Sequence, residues 1–111
     1  MKEQTLIKNN YAKSVLREVI KELATGEKDV RKRICSNDVI FEKLKEQDFP
    51  EALREEWKWI IQNVKMKEPR YLSNGKMIRS NIENTMDDIR NSTASKIAER
   101  IFEIYFKLLE Y

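Results

Sequence analysis

The segment Phe49 to Met66, FPEALREEWKWIIQNVKM, decides how the rest of the chain is read. Phe49, Leu53, Trp57, Ile60, Ile61 and Val64 recur at the three- and four-residue spacing of a core-facing helical stripe. Ala52, Trp59 and Met66 recur every seven residues on another side. At about 100° per residue, Trp59 stands roughly 160° around the helix from Trp57. A surface helix of a small bundle needs one apolar stripe, and a second stripe needs a second neighbour. That neighbour is either another helix of this chain or a partner subunit.

Around this helix the sequence has few breaks. Only two Gly and two Pro punctuate 111 residues, and 37% of the residues are charged. A strand-rich domain of this size would need more turn residues, so the composition predicts long helices. The length suits one domain with its own core. The expected fold is therefore all-α: an antiparallel bundle of four helices, or five if the chain breaks where its polar clusters allow.

The first helix is expected over Thr5 to Ala24, with Tyr11, Ala12, Val15, Leu16, Val19, Ile20 and Leu23 facing inward and Gly26 as its stop. Lys8, Lys13, Arg17 and Lys21 form its solvated face, with Glu18 and Glu22 among them. The second helix, Glu27 to Glu46, carries Val30, Ile34, Phe41 and Leu44 on one side. Ser36-Asn37-Asp38 either lies within it or interrupts it, because these side chains compete for backbone hydrogen bonds. Pro50 suits a first helical position, which starts the tryptophan helix, with Asp48 or Phe49 as its cap.

Glu68 to Gly75, EPRYLSNG, reads as the one real loop, with Asn74-Gly75 as its turn. From Lys76 to Glu110 there is neither Gly nor Pro. Ile78, Ile82, Met86, Ile89, Thr93, Ile97, Ile101, Ile104 and Leu108 step through it by threes and fours. The segment is either one helix of about 35 residues, about 50 Å long, or two helices split at Asn91-Ser92-Thr93. The unbroken stripe favours continuity or a mild bend near Asn91 to Thr93. Beyond Ile97, Phe102, Phe106 and Leu109 widen the apolar arc past what one neighbour covers.

Chemistry is harder to find. The absence of His removes the commonest general base and the commonest ligand of catalytic zinc or iron. The acidic pairs Glu18/Glu22, Glu51/Glu55 and Asp87/Asp88 after Glu83 lack the Glu-x-x-Glu and Glu-x-x-Asp spacings by which some helical enzymes hold magnesium. Asn81, Asn84, Arg90, Asn91, Ser92, Thr93 and Ser95 form a polar cluster without a base. It reads as a helix crossing, with Ala94 and Ala98 admitting a close backbone. The expectation is no catalytic residues, no metal and no cofactor.

Two kinds of surface remain. Ala52, Trp59, Met66, Phe102, Phe106 and Leu109 are the expected protein interface. They point to a homodimer and to binding of another protein, in the manner of adaptor, immunity or antitoxin proteins. The alternative is nucleic-acid binding by Lys65, Lys67, Arg70, Tyr71, Lys76 and Arg79, where five cations meet one acid, Glu68. Lys28 with Arg31-Lys32-Arg33 is a second basic run.

No apolar run approaches the roughly 18 residues of a bilayer span. The opening MKEQTLIKNN lacks the apolar core of a signal peptide. Cys35 is the lone cysteine, without an intrachain partner. A cytoplasmic protein with no membrane partner is expected.

Overall fold

A computed structural model describes the backbone from Lys2 to Tyr111 and the side chains from Asn9 onward, so Lys8 lies outside the described side chains. The fold is all-α, with six α-helices and one small hairpin among the described residues. In order they are α1 (Lys2–Thr25), α2 (Val30–Cys35), α3 (Asp38–Lys43), α4 (Arg54–Val64), β1 (Arg70–Tyr71), β2 (Met77–Arg79), α5 (Asn81–Asp88) and α6 (Asn91–Leu108). Single 3-10 turns at Glu46–Asp48 and Glu51–Leu53 lead into α4. Among the described residues no helix is long and apolar enough to cross a membrane.

The helix with the most neighbours is α6, which packs against α1, α2 and α4. Ile97, Ile101, Ile104 and Leu108 are its buried stripe, as their spacing predicts. Ala94, on the same helix, is fully buried. The stripe of the tryptophan helix also faces the core: Phe49, Leu53, Trp57, Ile60 and Val64 are buried and Ile61 packs against them. Trp57 is 1% exposed. Its ring stacks on Phe49 at 4.9 Å and on Phe41 at 6.2 Å, and its indole N–H donates to the Leu44 carbonyl at 3.3 Å. One side chain thereby joins α3, the irregular segment after it and α4.

Three boundaries are settled by interactions that apolar spacing does not show, and the first takes the interrupted of the two readings. First, the second helix is broken: Ser36 Oγ donates to the Lys32 carbonyl and Asn37 Nδ2 to the Arg33 carbonyl. The Lys32 carbonyl also keeps the Ser36 backbone N–H, but the Arg33 carbonyl accepts the Asn37 side chain in place of the Asn37 N–H, which turns to the Ile34 carbonyl. Its start also moves to Val30, because Asp29 caps it by accepting from the Lys32 N–H at 3.2 Å.

Second, Pro50 does not begin α4. With ψ at 147° it is extended, and one 3-10 turn precedes the α-helix.

Third, the C-terminal segment is not continuous. Ile89 and Arg90 are both extended, with ψ of 158° and 155°, and separate α5 from α6. The bend thus falls just before Asn91. The start of α5 is fixed by Ser80 and Glu83, which cap each other's backbone N–H at 3.1 and 2.9 Å. Residues upstream of Ser80 are therefore free to be strand. Ile78, assigned above to the helical stripe, is an exposed residue of β2.

The loop is correspondingly a hairpin. Gly75 donates to the Leu72 carbonyl and Leu72 to the Lys76 carbonyl, which closes a three-residue turn. Gly75 takes φ of +88°, the left-handed position such a turn requires.

At the other end of the molecule Gly26 ends α1. A Cβ there would lie 2.6 Å from Arg33 Cδ and 2.8 Å from the Glu22 carbonyl oxygen. Arg33 uses that space to donate to the Leu23 carbonyl at 2.7 Å.

Two substitutions test this packing. Trp57→Ala is expected to cost about 3–5 kcal/mol, read by chemical denaturation, whereas Trp59→Ala leaves the midpoint nearly unchanged. Gly26→Ala is expected to lower thermal stability because Arg33 must vacate its site. An Arg33→Ala background should relieve only part of that loss, because the close approach to the Glu22 carbonyl oxygen remains.

Candidate functional site

The six residues of the expected interface are all exposed, including Ala52 at the entry to α4. Met66 is 64% exposed, Phe106 53% and Trp59 36%. They do not form one patch. On α6, Phe102 and Phe106 touch each other with ring centres 4.8 Å apart. They border a groove of about 590 Å³ whose other residues include Leu23 and Ala24 of α1 and Ser95 and Ala98 of α6. Trp59 borders a separate hollow with Lys96 and Arg100, and the Arg100 guanidinium lies 5.1 Å from its ring centre. Glu99 and Glu103 line both hollows and stand as an acidic ridge between them.

Trp59 therefore gains part of its cover within the subunit. Its ring holds a cation, which attracts Arg100 through the π-face at modest energy in an exposed place. The second stripe of the tryptophan helix is in this way partly answered by α6, and Met66 and Ala52 are left to solvent.

The hairpin carries a further apolar surface that the helical reading of residues 76–79 concealed. Tyr71, Leu72, Met77 and Ile78 are exposed, and Val39 of α3 is exposed beside them. Tyr71, Met77 and Val39 line one hollow between the hairpin and α3. The visible signal was Asn74-Gly75 flanked by β-branched and aromatic residues, the usual mark of a hairpin.

The basic segment is less basic in space than in sequence. Lys65 pairs with Glu42, Lys67 with Asp88 at 2.9 Å, and Arg79 with Asp87. Arg79 also donates to Asn84 Oδ1 at 3.1 Å. Five cations are thus met by four carboxylates once Glu68 is included, and only Arg70 and Lys76 lack an ion pair among the described residues. Tyr71 stays exposed between them in the chain. In the second basic run the two arginines are structural, while Lys28 and Lys32 are exposed. Arg31 donates to the Ile89 carbonyl at 3.2 Å and Arg33 to that of Leu23.

The acids and polar residues weighed for catalysis have similar duties. Glu83 caps α5, while Asp87 and Asp88 sit in ion pairs. Asn84 Nδ2 donates to the Glu68 carbonyl at 2.8 Å. Thr85, fully buried, accepts from the Lys67 N–H and donates to the Asn81 carbonyl. Arg90 is exposed and opens α6 from its capping position; the carbonyl beside it is held by Arg31 instead. Among the described residues no three His, Cys, Asp or Glu side chains gather where they would hold a metal ion. Comparison of the chain with protein-family models, curated proteins and solved structures finds no match.

Cys35 is half-buried at the end of α2, and burial pushes its thiol above the ordinary range. A raised value means less thiolate at neutral pH, and the thiolate is the nucleophile. Alkylation by iodoacetamide is expected to be slower than for a free cysteine at the same pH, with its rise displaced to higher pH. Unfolding in guanidinium should restore the ordinary rate; a folded protein that reacts as fast as the unfolded one overturns this.

Proposed function

We propose that the chain is a non-enzymatic, cytoplasmic protein-interaction module that forms a homodimer and also binds another protein. The observation that supports this reading is the exposed aromatic pair Phe102–Phe106 beside an apolar groove. Exposed large apolar side chains are tolerated singly, but contiguous ones at a groove mark interaction sites. The core gives no reason for these two rings, because α6 already buries a complete stripe on its inner side. Their contribution is to a surface outside the subunit.

The acidic pair Glu99 and Glu103 stands between this surface and Trp59. Two separated apolar surfaces suit two partners better than one. The reading assigns the Phe102–Phe106 side to a second copy and leaves the Trp59 side for a different protein.

Nucleic-acid binding by the 65–79 segment stands behind this. The ion pairs to Glu42, Asp87 and Asp88 occupy three of its cations, and phosphate binding would have to displace them.

Light scattering on the purified protein at tens of micromolar tests the first reading. A mass of two subunits is expected, and Phe106→Glu should give a folded chain of one subunit mass, because a half-exposed site tolerates charge in the monomer. A wild-type mass of one subunit across the accessible concentration range overturns self-association. A gel shift with RNA or DNA in low salt that Lys67→Glu with Arg70→Glu abolishes would favour the alternative.

A further inference from the structure

Resting on that reading, we infer that the occupant of the α1–α6 groove is the Phe102–Phe106 pair of a second copy, with the two α6 helices antiparallel about a two-fold axis near position 100. The face is complementary to itself. Its aromatic knob, Phe102 and Phe106, and the small residues Ser95 and Ala98 that line the other part of the same groove, lie along one side of one helix. Their centres are separated by about 11 Å at 1.5 Å per residue. A two-fold axis midway sets Phe102 over the partner's Ala98 and Phe106 over the partner's Ser95, and repeats both contacts in reverse. An isologous pairing of this kind closes on itself and leaves no open end.

Charge follows the same register. Lys96 and Glu103 lie on the flank of α6 away from α1, and neither forms an ion pair among the described residues. Antiparallel pairing about position 100 puts Lys96 opposite the partner's Glu103, and Glu103 opposite the partner's Lys96. A parallel pairing in register would put the two charged flanks on opposite sides of the dimer and form neither pair, so the charges favour the antiparallel direction.

One residue works against the pairing. Glu99 lies next to the axis, where the two copies bring like charges together. It keeps the dimer weak and makes the position a reporter, because a residue beside a two-fold axis approaches its own copy. Trp59 lines the same hollow as Lys96 and Glu103, so it borders the charged flank of the pairing and adds no apolar contact across the axis.

The test is cysteine cross-linking in a Cys35→Ser background, with light scattering alongside. Glu99→Cys should be oxidised by mild treatment to a disulfide-linked dimer in high yield, whereas Lys58→Cys on α4 should stay monomeric on a denaturing gel. Glu99→Gln should tighten association, and Met77→Glu, on the hairpin, should leave it unchanged. Ala98→Phe, which fills the receiving hollow from its own side, should dissociate the dimer while circular dichroism stays helical. A wild-type dimer that neither cross-links at position 99 nor responds to Ala98→Phe overturns this geometry but keeps self-association. A wild-type monomer at every concentration overturns both.

Discussion

Two guanidinium groups on the short helix α2 hold the places where the backbone leaves helical geometry. Arg33 reaches the Leu23 carbonyl at the end of α1, and Arg31 reaches the Ile89 carbonyl between α5 and α6. Carbonyls at helix ends have no intrahelical donor, and leaving them dry and unpaired costs about 1–3 kcal/mol each. A charged donor satisfies such a group for more than a neutral one. The arrangement has its own cost, since Arg33 Nε is buried without a partner. Gly26 makes it sterically possible, because any larger residue would occupy the path of the arginine stem. A helix of six residues is too short to be stable alone. α2 persists because it fills the notch between α1, α5 and α6 with Ile34 and ties both breaks with its arginines.

The parts of this architecture that were legible in the sequence are those set by periodic burial. The stripe from Phe49 to Val64 and the isoleucine stripe of α6 read correctly because apolar spacing reports directly which side faces the core. Trp57 and Trp59 separate for the same reason. The break at Ser36–Asn37 was visible as an alternative, since the competing side chains are local. The start of α5 was also local: Ser80-x-x-Glu83 is a capping box, and it went unused because the apolar rhythm ran straight through it.

What could not be read depends on residues far apart in the chain. The rhythm from Ile82 to Leu108 survives the interruption at Ile89–Arg90 because each helix keeps its own phase. Spacing alone does not register two extended residues between them. The donor that secures the interruption, Arg31, lies 58 residues upstream. The basic segment misled in the same way. Counted along the chain it has one acid, but Glu42 comes from α3 and Asp87 and Asp88 from α5. Charge counted over a window of sequence estimates the field only when the neighbours in space are also neighbours in sequence.

The outer face of α6 obeys a different constraint from its inner face. Ile97, Ile101, Ile104 and Leu108 are held by volume, because a buried methylene removed or added is felt by the whole core. Phe102 and Phe106 are about 100–140° around the helix from Ile101 and touch none of that volume. Substitution there changes the surface without repacking the interior, so the two faces are energetically separable. Between them Glu99 and Glu103 limit how far apolar surface can spread, much as charged residues blunt an exposed sheet edge. Without that ridge the groove and the Trp59 hollow would merge into one wide patch, and indiscriminate association would follow. An acidic ridge along one border of the apolar groove lets one helix present adhesive surface and still require a partner of matching shape.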